Sequence, residues 1–83
     1  MAKLYEVNGN VSELTPANGS DFELEELRKI VGGDIEIIYL PKKYLIVNED
    51  GRDLGLLYNC TASEKFGFEL VGPVLEVRKG EVR

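Results

Sequence analysis

The sequence predicts a single domain, residues 1–83, of the α+β class. We expect a mostly antiparallel sheet of about five strands, one main helix at about 20–32 and one short helix at about 59–65. Three observations support this prediction. An apolar stripe with helical spacing follows Ser20, β-branched runs alternate with short turns, and 83 residues are too few for two independent cores.

The main helix has start and stop signals at both ends. The segment from Ser20 to Glu23 matches a capping box, in which Ser20 is the N-cap and Glu23 reaches back to it. Gly32 and Gly33 end the helix, because glycine enters the left-handed region at little cost. The apolar stripe of this helix consists of Leu24, Leu27, Ile30 and Val31.

The strands are predicted from alternation and turn chemistry. Residues 4–7 and 11–15 flank an Asn-Gly-Asn turn, and residues 34–40 and 44–47 flank a Pro-Lys-Lys turn. The last strand lies within residues 71–78, with Pro73 at its start or at an edge of the sheet. Asn59 caps the short helix, and Gly67 stops it. The expected core is Leu4, Val7, Leu24, Leu27, Ile30, Val31, Ile35, Ile37, Leu45, Val47, Leu56, Ala62, Val74 and Val77.

The composition argues against broad nucleic-acid binding. The net charge is −5, from 15 acidic and 10 basic residues, so the chain lacks the cationic excess that replaces counterions on a phosphate backbone. Two small basic groups remain: Lys42-Lys43 beside Tyr39 and Tyr44, and Arg78-Lys79 with Arg83. They can bind a single strand by charge and stacking, or form a solvated hairpin end and tail. We therefore expect a protein partner rather than nucleic acid.

Acidic residues cluster in the first third of the chain. This cluster motivates one alternative function, an acidic inhibitor that mimics DNA and blocks a DNA-binding or defence protein. The local explanation is that acids in the first turn stabilise a helix through its dipole. The clustered residues are Glu13, Asp21, Glu23, Glu25 and Glu26.

The residue inventory predicts a protein that is not an enzyme. Histidine is absent, which removes the commonest general base and metal ligand. Cys60 at a helix N-terminus is either a reactive thiolate or, as we expect, a small and partly buried apolar residue. Aligned to an EF-hand loop, Ile46 and Leu57 fall where carboxylates are needed, so that match fails. We assign no catalytic residue, metal or cofactor.

We expect a cytoplasmic protein that does not enter a membrane. A single cysteine cannot form an internal disulfide, and Met1-Ala2-Lys3 runs into a predicted strand without a secretory signal. The apolar runs are far shorter than the roughly 20 residues that span a bilayer.

The expected recognition surface is the loop 48–53 with the adjoining segment 55–59, because loops held on a rigid sheet commonly carry recognition. The alternative is that this region is only a turn and a helix cap. A pocket bounded by Tyr58, Asn59 and acids would indicate a small-molecule or nucleotide-binding protein, whereas a flat apolar patch would indicate a protein partner. The candidate residues are Asn48, Glu49, Asp50, Arg52, Asp53, Tyr58 and Asn59.

The order of several short motifs resembles a small domain-of-unknown-function family found in phage, plasmid and conjugative-element proteins, including those of gut bacteria. Members often have proline at the position of Leu57. The resemblance implies a mobile-element context and a cytoplasmic location, and it assigns no site residue. The motifs are Leu4-Tyr5, Leu27 with Ile30-Val31-Gly32-Gly33, Ile35-Glu36-Ile37, Val47-Asn48-Glu49-Asp50-Gly51, Gly55-Leu56 with Asn59 and Ala62, and Val71-Gly72.

Overall fold

Two hairpins are joined through a strand that comes later in the chain. The computed structural model describes residues 2–19 and 21–78. The elements are β1 (Ala2–Tyr5), β2 (Val11–Leu14), α1 (Leu24–Val31), β3 (Ile35–Tyr39), β4 (Lys43–Asn48), α2 (Cys60–Phe66) and β5 (Val74–Arg78). The sheet order is β2-β1-β5-β4-β3, and every neighbouring pair is antiparallel. The predicted α+β class, with about five antiparallel strands and two helices, is confirmed.

The two helices cover opposite faces of this sheet. On one face, which we call the α1 face, Ile46 and Leu75 are cross-strand partners and pack with Leu27 of α1. On the other, the α2 face, Leu45 and Val74 pack with Ala62 of α2. Because side chains alternate along a strand, neighbouring residues of β4 are buried on different faces. Both faces of the sheet therefore contribute to the core.

The main helix begins later than predicted. Its N-cap is Glu23, in an extended conformation and without a side-chain capping bond, and Ser20 lies outside the described residues. Phe22 is buried in the core just before the helix. The preceding loop is held by two hydrogen bonds between Asn18 and Asp21, each 2.9 Å. Burying Phe22 from an extended segment thus displaces the helix start from about residue 20 to Leu24.

The other helix boundaries match the expectation closely. Gly32 has a φ of 82° and closes α1 by donating its N–H to the Arg28 carbonyl at 2.8 Å. The Asn59 side chain accepts the N–H of Ala62 and caps α2, which ends at Gly67. Within the described residues, neither helix is long and apolar enough to cross a membrane.

Two predicted core residues are exposed. Val7 follows the end of β1, and Leu24 is the first residue of α1, with 49% of its surface exposed. The prediction also missed buried residues on strands whose two faces are both covered, because it expected strict alternation between core and solvent. On the strands it missed Ala2, Tyr5, Ile46 and Leu75, and outside the strands it missed Phe22 and Leu70.

Candidate functional site

An acidic cleft opens on the α2 face beside β3 and the C-terminal end of β4. Its volume is about 410 Å³, and four carboxylates line it: Glu36, Glu49, Asp53 and Glu69. The apolar part of the lining includes Ile38, Phe68 and Leu70. A long cationic side chain suits such a cleft, since its stem can lie on apolar surface while its head meets the acids.

The loop that forms one wall of the acidic cleft is held in place by Asn48. This side chain is buried, donates to the Val31 carbonyl at 3.2 Å and accepts the Asp50 N–H at 2.8 Å. It therefore joins the end of β4 to the last turn of α1, where carbonyls lack helical partners. Gly51 then lies against Val71, since an added Cβ would come within 3.0 Å of a Val71 methyl carbon. These contacts hold the backbone on both sides of Glu49.

One ion pair connects the two walls of the acidic cleft. Arg52 and Glu69 approach to 2.9 Å, and their side chains are 71% and 60% exposed. An exposed pair of this kind contributes little to stability, about 0–1 kcal/mol. The Arg52 guanidinium balances the charge of Glu69. Glu36, Glu49 and Asp53 supply the excess negative charge of the cleft.

Asn59 is a structural residue beneath the surface. Its side-chain amide donates to the carbonyls of Tyr5 at 2.9 Å and Gly72 at 2.8 Å, while its oxygen accepts the Ala62 N–H at 3.1 Å. The residue is fully buried, so its polar groups are not available to a ligand. Tyr58 is exposed and forms an antiparallel bridge with Val71, but Tyr58 itself does not line the cleft.

The structure thus divides the expected recognition surface. It brings Glu49, Arg52 and Asp53 together with Asn48 in the acidic cleft, and leaves Asp50 and Tyr58 outside its lining. It adds residues that the sequence interpretation missed, above all Glu36 and Glu69. Glu36 had a recognisable signal, since it is a lone charge among the apolar residues of β3. Glu69 had none, because its position depends on how residues 68–71 return past the loop.

A basic cleft lies at the opposite end of β4 on the same face. Its volume is about 280 Å³, and it is lined by Lys3 of β1, Lys43 of β4, Arg78 of β5 and Lys42 of the preceding turn. Lys43 and Arg78 are direct cross-strand partners. Like charges in such positions destabilise a strand pair, so this arrangement favours an acid or an anion nearby.

Glu76 supplies an acid at the basic cleft. It accepts hydrogen bonds from Tyr5 at 2.7 Å and from Lys43 at 2.8 Å. Burial opposes ionisation of Glu76, but the bonds from Lys43 and Tyr5 outweigh it and lower the pKa of this carboxyl. Burial, followed by the bond to Glu76, raises the pKa of Tyr5 far above its usual range. Tyr5 thus donates its proton while Glu76 stays ionised.

The tyrosines and lysines singled out for nucleic-acid binding are not brought together. Tyr39 and Tyr44 form an edge-to-face pair 4.9 Å apart on the α1 face, as cross-strand partners on β3 and β4. Lys43 belongs to the α2 face. Lys79 and Arg83 lie outside the described residues.

Cys60 is exposed, contrary to the expectation of partial burial. Its sulfur lies 3.6 Å from a carboxylate oxygen of Glu64, and the charge of Glu64 is the main cause that raises the pKa of the thiol. This environment disfavours a reactive thiolate. Among residues 2–19 and 21–78, no group of three or more Cys, Asp or Glu side chains is placed to hold a metal ion.

Several of the acids considered for DNA mimicry make contacts with residues close to them in the sequence. Glu25 pairs with Arg28 at 3.1 Å, and Glu26 accepts the Ala17 N–H at 3.0 Å. Asp21 bonds to Asn18, as described above. Glu25 and Glu26 lie in the first turn of α1, as the local explanation through the helix dipole requires, and Glu26 and Asp21 also hold the preceding loop.

Comparison with known proteins identifies a family and no further relative. The family model described as "Domain of unknown function (DUF3846)" matches residues 6–82, which is most of the chain. This confirms the resemblance to a family of unknown function. No curated protein and no solved structure matches the chain significantly.

Proposed function

This chain belongs to the DUF3846 family, and we propose that it is a noncatalytic binding domain whose acidic cleft holds a positively charged segment of a partner protein. The observation that carries the proposal is the convergence of four carboxylates and one arginine around an open cleft of about 410 Å³. Clefts of this size, about 300–1,000 Å³, are typical of ligand sites.

The lining chemistry supports a protein segment with lysine or arginine. Ile38, Phe68 and Leu70 offer apolar surface for a side-chain stem, and the nearby carboxylates offer acceptors for its charged head. The loop beside the cleft also exposes Leu54 and Leu57, which are 62% and 70% exposed. Exposed apolar residues next to a charged cleft support a macromolecular partner.

The wider setting follows from the resemblance alone. We place this domain in the cytoplasm, as an accessory protein of a phage or other mobile element that acts on a partner from the element or its host. The lack of histidine supports a binding role over catalysis. The DNA-mimic alternative has weaker support, since several of its acids are held in local contacts.

A random peptide library displayed on phage tests the main proposal. We expect selection on the immobilised domain to enrich peptides rich in lysine and arginine. The synthesised peptides should bind a Glu49→Gln/Asp53→Asn variant at least about tenfold more weakly, a loss of about 1.4 kcal/mol. Circular dichroism checks that the variant is folded.

The matched control is Glu13→Gln/Glu64→Gln, which removes two exposed acids outside the cleft and changes the net charge equally. It should retain binding at the same ionic strength. Enrichment of peptides without basic residues, or equal weakening in both double variants, would refute the proposed site.

The basic cleft favours a second candidate function, the binding of a small phosphate-bearing molecule such as a nucleotide. Three strands and a turn supply four cationic side chains to a cleft of about 280 Å³. The supporting result is a shift of the Lys43 and Arg78 amide resonances with pyrophosphate that sodium sulfate at equal ionic strength does not reproduce. Lys42→Gln should weaken this shift, and Lys29→Gln, on exposed α1 surface, should not. An equal response to both anions would refute it.

A further inference from the structure

The outer edge of β3 carries backbone groups that no strand of the described residues pairs with. β3 ends the sheet order, and only β4 adjoins it in residues 2–19 and 21–78. In this hairpin the Glu49 N–H donates to the Asp34 carbonyl, and the Leu40 N–H donates to the Lys43 carbonyl. These two bonds fix which pairs of the ladder are hydrogen-bonded.

The hydrogen-bonded positions of an antiparallel pair alternate with positions whose groups point outward. From the register, Glu36 and Ile38 therefore bond to β4. The N–H and carbonyl groups of Ile35, Ile37 and Tyr39 point to the open edge. Three residues of β3, from its first to its last, thus present backbone groups to this edge.

The sequence of β3 has little of the usual protection of an edge, since Glu36 is its one charged residue. It contains no proline and no lysine, and four of its five residues are apolar or aromatic. The opposite edge strand, β2, has only four residues, and two of them, Ser12 and Glu13, are polar. The β3 edge is therefore the better template for another strand.

The acidic cleft lies directly beside this edge. Glu36 and Ile38, on the α2 face of β3, both line it. A strand added to β3 would project alternate side chains toward the acidic cleft. Its remaining side chains would lie on the α1 face beside Ile37, which is half-buried, and Tyr39, which is 70% exposed.

We infer that the partner binds by strand addition: an extended segment with alternating basic and apolar residues pairs with β3 as a sixth strand. This inference rests on the proposed function and specifies its mode. Main-chain bonds to β3 provide affinity, and the carboxylates of the acidic cleft select the basic positions. Charge complementarity identifies the occupant, because a second copy of this chain would bring another acidic protein of net charge −5 to the same edge.

Hydrogen exchange with a defined peptide tests the pairing. The probe is an acetylated peptide of alternating lysine and valine, and a block peptide of the same composition is its control. We expect the alternating peptide to slow exchange of the Ile35, Ile37 and Tyr39 amides at least about tenfold. The Glu36 and Ile38 amides, already bonded to β4, should change little. Uniform protection across the domain would contradict strand addition.

A proline variant separates backbone pairing from charge. Tyr39→Pro removes one outward N–H at an exposed position, where an edge strand tolerates proline, whereas Tyr39→Val keeps it. Tyr39→Pro should weaken binding of the alternating peptide at least about tenfold relative to Tyr39→Val. Both variants should unfold cooperatively in urea.

The outcomes distinguish this inference from the proposed function. If both peptides bind equally and Tyr39→Pro has no effect, but Glu49→Gln/Asp53→Asn abolishes binding, strand addition is wrong and the acidic cleft is still the site. If no basic peptide binds, both strand addition and the proposed function are wrong. If the free domain dimerises and only Tyr39→Pro makes it monomeric, the edge belongs to a second copy, and the inference is overturned.

Discussion

The two faces of the sheet are covered in different ways. On the α1 face, Leu27 and Val31 close an apolar core over Ile46 and Leu75. On the α2 face, the short α2 helix packs through Ala62 and Phe66, and a charged cleft lies toward each end of β4. Both faces therefore carry buried apolar clusters, whereas both charged clefts lie on the α2 face.

The largest expected effect distinguishes a buried residue of α1 from an exposed residue of the same helix. Leu27→Ala should lower the free energy of unfolding by about 2–5 kcal/mol, because Leu27 is 1% exposed and leaves a cavity. Leu24→Ala, three residues earlier on the same helix, should cost less than about 1 kcal/mol since its side chain already meets solvent. Urea denaturation measures both, and equal losses would contradict the assignment of the α1 face.

The next effect concerns Asn59, which caps α2 and joins it to β1 and to the segment before β5. Asn59→Ala should cost about 2–4 kcal/mol, because it removes the α2 cap and leaves the Tyr5 and Gly72 carbonyls without their donor. Asn59→Asp keeps a capping oxygen but cannot donate, so it should be destabilising too. Thermal denaturation of the two variants gives the comparison. Wild-type stability in Asn59→Asp would show that the two donated bonds are dispensable.

A smaller effect on stability is expected from removing the cation of the ion pair in each cleft. Lys43→Met should cost about 1–3 kcal/mol, because it leaves the partly buried Glu76 with a single donor. Arg52→Met should cost less than about 1 kcal/mol, because both members of its pair are exposed. Chemical denaturation at neutral pH tests this order, which reversed values would contradict.

The smallest expected effect is a loss of stability at high pH that arises at the basic cleft. The pKa of Tyr5 is raised in the folded protein, so its contribution to stability is full below the unfolded value of about 10 and is lost as pH rises toward the folded value. Stability measured at about pH 11 should therefore be lower than at about pH 8. Tyr5→Phe should reduce that difference, and Tyr58→Phe, which removes an exposed phenol, should preserve it.

The sequence predicted the helices and strands better than it predicted which residues line the acidic cleft. Local signals were sufficient for Asn59 as a cap, for Gly32 as a helix end and for the β3–β4 hairpin, because each depends on neighbouring residues. The burial of Phe22 and the place of Glu69 depend on contacts between distant segments, which no local pattern records. For the same reason, the sequence predicted only one wall of the acidic cleft. The loop 48–53 is contiguous in sequence, whereas the other wall comes from residues 68–71.

The central position of β5 has a consequence for folding kinetics. β5 lies between β1 and β4, yet it is made after both hairpins during synthesis from the N-terminus. Until residues 74–78 leave the ribosome, β1 and β4 each lack one neighbour, and residues such as Leu45 and Ile46 have an incomplete core around them. The pairing of β1 with β5 also closes a loop of nearly the whole chain, which is slow. Before β5 pairs, the nascent domain thus exposes apolar surface to which chaperones can bind and through which it can aggregate.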